Sequence, residues 1–195
     1  MSKELSIINA MLAESGALPL SASDDHHPNY IAAMAVLQRA KDRVFSKPLW
    51  FNTERRTLRQ NGDGEVILPN STMQVDPVDP CKNYVEKGGR LWNATDRTFV
   101  IGEDVEAMIV YTVNDLDDVP QIALNYLTSV AVLRFLSTDA EPAKMQIAAA
   151  MMREDRMEFE AENLAARDVN YFNGAASINF RTRRSGRAMS LPPYE

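Results

Sequence analysis

"YVEKGGRLWNATDRTFVI", residues 84–101, is the stretch that decides how this chain folds. It alternates short β-like runs with turn residues: strand, Gly88-Gly89 turn, strand, second turn, strand. Paired glycines reach the positive φ that a two-residue hairpin turn requires, and aromatic and β-branched residues suit the strands on either side. A small hairpin sheet is therefore expected in the middle of a chain whose two ends read as helix.

Working outward, residues 49–113 share this texture. The runs LWFNT, RTLRQ, EVILP, TMQVD, YVEK, RLWN, TFVI and EAMIVYTV are divided by Asn61-Gly62, Asp63-Gly64, Pro69-Asn70, the Pro77/Pro80 pair and Gly88-Gly89. No helical pattern of 10–15 residues interrupts them, so the strands should pair antiparallel.

On the N-terminal side, Leu5, Ile8 and Leu12 share one face of a helix over residues 3–15, with Ser2 placed to cap it and Gly16 to end it. A second helix over about 29–45 carries Ile31, Met34, Leu37, Ala40 and Val44 at helical spacing, and Pro48 closes it. On the C-terminal side, Asp117, Asp118 and Pro120 start a third helix with Ile122, Tyr126, Leu127, Val130, Leu133 and Leu136 on a wide apolar face. Thr138 and Glu141 have capping-box spacing for a fourth, over 141–168. There Met145, Ala148, Met152, Phe159 and Leu164 lie roughly on one side, with charges of both signs on the other.

The expected fold is α+β. A bundle of about four helices, residues 1–48 and 117–170, holds an antiparallel β insertion at 49–116, and an extended arm follows at 171–195. The arm has four arginines within 181–187. Arg181, Arg183, Arg184 and Arg187 are flanked by Tyr171, Phe172, Ile178, Phe180, Met189, Leu191 and Tyr194. A purely electrostatic tail has no use for such apolar anchors. Arginines with anchors suit an arm that orders on a protein partner.

Several kinds of chemistry find little support. The formal net charge of -6 argues against a protein that grips nucleic acid along its whole surface, although the basic arm alone could do so. A single cysteine, Cys81, excludes an internal disulfide or a cysteine-built metal site. His26 and His27, beside Asp24 and Asp25, are adjacent in a loop, a spacing that rarely aims two side chains at one ion. RQNGDGEVILPN would put Arg59 and Asn70 where a calcium loop needs acids, so Asn61–Gly64 reads as a hairpin tip. Glu103, Asp104, Glu106, Asp115, Asp117 and Asp118 could supply a carboxylate pair for glycan hydrolysis, but acids beside strands and helix starts more commonly cap or face water. Neither a P-loop, a nucleophile elbow nor a dinucleotide fingerprint is present, and the two sequons, at Asn70 and Asn93, lack a secretory context. The first twenty residues are too polar for a signal peptide, and no apolar run approaches the ~20 residues of a membrane span. Synthesis in the cytoplasm is expected, with no catalytic residues, cofactor, metal or membrane.

In order and spacing, the chain resembles the tail tubular protein A family of short-tailed, podovirus-type bacteriophages, the head-to-tail adaptors or gatekeepers. The stretches that carry the resemblance are ELSIINAMLAESGALPLS, LWFNTERRTLRQNGDGEVILPNSTMQVDP, YVEKGGRLWNATDRTFVI and VNDLDDVPQIALNYLTSVAVLRFL with the charged helix after it. The landmarks are a first helix, a strand entry at Trp50–Thr53, Leu68-Pro69, the Gly88-Gly89-Arg90-Leu91 hairpin and a helix led by Pro120. The resemblance implies a virion structural protein that forms a ring of about twelve copies between portal and tail nozzle (tubular protein B), lines the channel for double-stranded DNA, and has fibres near its rim. On this basis the arm, through Arg181, Arg183, Arg184, Arg187, Phe180 and Tyr194, is expected to dock on the portal. The hairpin, through Gly88, Gly89 and Arg90, is expected to face the nozzle, with the charged helix as a wall between subunits.

Overall fold

The computed structural model describes residues 2–21, 27–136 and 141–171, with the side chains of 167–171 excepted. Helix α1 (Lys3–Ser15) begins where Ser2 accepts a hydrogen bond from the Leu5 amide at 3.2 Å. It ends at Gly16, whose φ of 81° is open to glycine without strain. Helix α2 (Pro28–Phe45) starts at His27, whose Nδ1 accepts from the Asn29 amide at 3.3 Å. Its buried stripe is Tyr30, Ala33, Leu37, Ala40 and Val44. Ile31, expected on that stripe, is 53% exposed. Leu37, Ala40 and Val44 are inward as expected; only the first turn departs, where Tyr30 and Ala33 are buried in place of Ile31 and Met34.

Helix α3 (Gln121–Leu136) is the centre of the bundle, packed on α1, α2 and α4. Three neighbours explain why Ala123, Leu124, Leu127, Val130, Ala131, Val132 and Leu136 are all buried, on more than the one face expected. Ile122, Tyr126 and Leu133 sit at the border of this core. Helix α4 (Pro142–Tyr171) has one neighbour in the bundle, α3, and buries only one side, through Ala148 and Phe159. Leu164, expected on that side, is 55% exposed. At 3.6 residues per turn it falls about 140° around the helix from Phe159. Of the expected capping pair, Thr138 lies outside the described residues.

Between the helix pairs run β1 (Thr53–Leu58), β2 (Thr72–Pro77), β3 (Tyr84–Lys87), β4 (Arg90–Asn93) and β5 (Val105–Tyr111). β5 lies between β1 and β2, antiparallel to both, with a register shift at Thr72/Gln74. β3 and β4 form a separate antiparallel hairpin, tied to the chain around it by single bridges between Ile67 and Arg90 and between Asn93 and Thr98, with a further bridge beside it between Glu65 and Val100. Two of the expected strands, EVILP and TFVI, are present only as such bridges. A third, LWFNT, is a turn up to Asn52. The Asn52 side chain closes that turn. Its Oδ1 accepts from the Leu49 amide at 2.8 Å, and its Nδ2 donates to the Phe45 and Lys47 carbonyls at 3.2 Å.

Two apolar clusters result. One joins all four helices and holds Ile8, Met11, Leu12, Leu37 and Leu127, each fully or nearly fully buried and each contributing about 1.5–3 kcal/mol by removal from water. The other lies within the β region, around Val66, Leu91, Val105, Ala107 and Ile109. Polar contacts stitch the two regions. Lys3 Nζ donates to the Leu116 and Asp117 carbonyls at 3.1 and 2.8 Å. Lys41, almost buried, reaches the Asn114 carbonyl at 3.3 Å and Glu4 at 3.4 Å. The Trp50 amide donates to Asn163 Oδ1 of α4 at 3.2 Å.

Candidate assembly surfaces

Directly opposed residues in an antiparallel pair project to one side of the sheet. Val85 opposes Trp92, Lys87 opposes Arg90, Ile67 opposes Arg90, and Glu65 opposes Val100. These residues therefore share one face, while Leu91 points the other way and is fully buried. Lys87 Nζ lies 4.3 Å from the Trp92 ring centroid, and the Arg90 guanidinium 4.0 Å from that of Phe99. Trp92 and Phe99 meet edge to face at 4.5 Å. Arg90 Nη1 also donates to both Glu65 oxygens, at 2.9 and 3.0 Å. The outer hairpin face is thus a rigid aromatic and cationic plate, bordered by exposed Ile67, Val85 and Val100.

The Gly88-Gly89 turn projects from one end of it. Both glycines have positive φ, 62° and 74°, and open space where a Cβ would stand. The Gly89 carbonyl accepts from the Leu68 amide at 2.9 Å, so the turn also anchors the segment beneath. Of the three residues expected to face a neighbouring ring, Gly88 and Gly89 form the tip. Arg90 is committed to the sheet through Glu65 and Phe99. Beside this plate a groove lined by Arg56, Arg59, Ile67, Leu68 and Pro69 adds two more cations.

The side of α4 away from the bundle is the second candidate surface. Ile147, Met151, Met157 and Leu164 are each more than half exposed, Ile147 and Met151 along one line and Met157 and Leu164 about a quarter turn or more around the helix from it. Exposed Glu154 and Glu158 interleave with them. The third surface expected from sequence, Phe180, Arg181, Arg183, Arg184, Arg187 and Tyr194, lies outside the described residues.

Four of the six acids singled out for catalysis, Glu103, Asp104, Glu106 and Asp115, have local partners. Glu103 is bound by Lys82 Nζ and, at 3.0 Å, by the Tyr84 hydroxyl; these hydrogen bonds, that of Lys82 first, hold its carboxyl below the ordinary value. Burial, then the bond to Glu103, raises the Tyr84 hydroxyl. Glu106 is held low by its 2.8 Å bond from Arg55. Asp104 accepts from the Gln60 amide at 3.1 Å, and Asp115 from the Asp117 amide at 2.8 Å. Among the described residues no cluster of His, Cys, Asp and Glu is arranged to hold a metal ion, and no helix is long and apolar enough to cross a membrane. Asp24, Asp25 and His26 lie outside that set. The Asn61–Gly64 loop is a hairpin tip, where Asn61 Oδ1 accepts from the Asp63 and Glu65 amides at 3.0 and 2.9 Å.

Sequence reasoning missed the outer hairpin plate as a unit. The signal was there in the alternation of Val85 and Lys87 against Arg90 and Trp92, which a two-residue turn places on one side.

No curated protein matches this chain. A family model described as tail tubular protein matches residues 5–172, and the chain belongs to that family. Its role is structural, in the tail of the phage particle.

Proposed function

Starting from membership of the tail tubular family, we propose that this chain is the head-to-tail adaptor of a podovirus-type phage. It is a ring of about twelve copies that joins the portal to the tail nozzle and surrounds the path of the outgoing DNA. The observation that carries this reading is the family match over nearly all of the chain. Two further features support it. A ring subunit needs two unlike lateral surfaces, and this subunit has two unlike exposed apolar surfaces, the hairpin plate and outer α4. A conduit must also let DNA slide. A net charge of -6 repels phosphates over roughly one Debye length, ~8–10 Å.

In this reading the arm grips the portal and the Gly88-Gly89 tip meets the nozzle, and one set of variants tests both. Arg181, Arg183, Arg184 and Arg187 changed together to Ser should weaken portal binding and leave the melting temperature alone. Gly88→Asn with Gly89→Asp keeps residues that tolerate left-handed backbone while adding bulk and charge at the tip, and should weaken nozzle attachment to assembled rings. Undiminished portal docking by the first variant, or nozzle recruitment by the second, removes the corresponding assignment. Duplex DNA binding by the unaltered chain that falls steeply with salt, and is lost in the four-serine variant, would favour a DNA-binding role for the arm.

A further inference from the structure

The outward stripe of α4 and the hairpin plate are alike in texture and opposite in charge. Ile147, Met151, Glu154 and Glu158 recur at i, i+4, i+7 and i+11, so they form one line along the helix. All four are exposed, and Glu154 and Glu158 enter no ion pair among the described residues. The line spans about 17 Å at 1.5 Å per residue.

The hairpin plate presents Ile67, Val85 and Val100, exposed by 62%, 42% and 56%, on strands about 13 Å long. Lys87 on the plate and Arg59 in the neighbouring groove also enter no ion pair among the described residues. Each surface therefore has apolar side chains to bury and charges to neutralise, and each offers what the other lacks. Neither can satisfy itself: α4 against α4 would oppose carboxylates, and plate against plate would oppose cations.

We propose that the α4 line of one copy seats on the outer hairpin face of the next copy, apolar on apolar, with Glu154 and Glu158 toward Lys87 and Arg59. The contact joins two different patches, so it is head-to-tail, the kind that closes into a ring when the rotation per step allows. Opposite charges at its edge set direction and register more than affinity. The inference rests on the adaptor reading and names its lateral interface. The Gly88-Gly89 tip, at the end of the plate, stays free for an axial neighbour.

Cysteine cross-linking of the full chain tests it. In a Cys81→Ser background, Met151→Cys and Val85→Cys together, oxidised after rings assemble on the portal, should give a ladder of covalent multimers, while either cysteine alone gives monomers. Rings visible by microscopy without a ladder would overturn the pairing. So would dimers from Met151→Cys alone, which would mean that α4 meets α4. A second variant pair guards against a cysteine effect on assembly. Lys87→Glu and Glu158→Lys should each reduce ring yield, and the two together should restore it; failure to restore overturns the pairing. Absence of rings from the unaltered chain would strike down the adaptor reading itself, and this inference with it.

Discussion

Glu103 links the segment after β4 to the start of β3 through Lys82 and Tyr84. Its carboxyl is held below the ordinary 4.5, so folding favours the charged form. That contribution is present in full above pH 4.5 and is lost as pH falls through the lower folded-state value. The partner amine is raised above 10.5, chiefly by the hydrogen bond to Glu103, so its share is lost only as pH rises through that higher value. Glu103→Gln should lower the melting temperature at pH 7, and the gap from the unaltered chain should close as pH drops below 4.5. A gap that stays constant into acid would mean that the carboxylate charge is not involved. The side chains are exposed enough that the shift should be small. Asn52 shows why single residues were the hardest to read. In sequence Trp50–Thr53 looks like a strand entry, since two aromatics precede a threonine. Its side-chain hydrogen bonds to Leu49, Phe45 and Lys47 instead make it a corner, and nothing in periodicity encodes a side chain folding back on its own backbone.

At the scale of the element, α4 poses the sharpest contrast. Its inner side is fixed by Phe159, which stacks on Tyr126 at 5.0 Å and lies 5.4 Å from Trp50. That cluster ties the last helix both to the bundle and to the β entry. Phe159→Ala should destabilise the chain by about 3–5 kcal/mol. Leu164→Ala, on the outer side, should stay within about 0.5 kcal/mol. Urea unfolding measures both, and equal losses would mean that α4 buries its outer side within the free subunit. Elements with chemical end signals were legible from sequence: Ser2 and Gly16 bound α1, and Gly88-Gly89 fixed the hairpin. Faces were less so. Ile31 and Leu164 are apolar, but Ile31 lies about 100° from Tyr30 and Leu164 about 140° from Phe159, so a strict count of the helical period sets both off the inward side that the neighbouring helix covers. The bridged segments at 65–67 and 98–100 were over-read as strands, because β-branched residues serve a single bridge as well as a ladder. The hairpin tip was legible as a candidate contact. The plate behind it was legible only in its hairpin half, through Val85, Lys87, Arg90 and Trp92; the part supplied by residues 65–67 and 99–100 depends on distant segments meeting the hairpin.

At the scale of the whole molecule, a four-helix body and a β insertion joined through Asn52, Lys3, Lys41 and Asn163 present surfaces in excess of what one subunit needs. Seven of the ten exposed large hydrophobics among the described residues lie on outer α4 or on the hairpin plate, with Leu18, Ile31 and Met73 elsewhere, and such gathering marks contact surfaces. Their opposed charges suit the proposed copy-to-copy contact, and the net charge of -6 suits the proposed passage for DNA. These features converge on a tail part whose work is to join. The most direct measurement is negative-stain microscopy of the full chain mixed with the portal of its own phage. The account predicts an added ring on the portal, coaxial with it and of about twelve copies. Portals that stay bare, with the chain remaining as separate subunits, would contradict it.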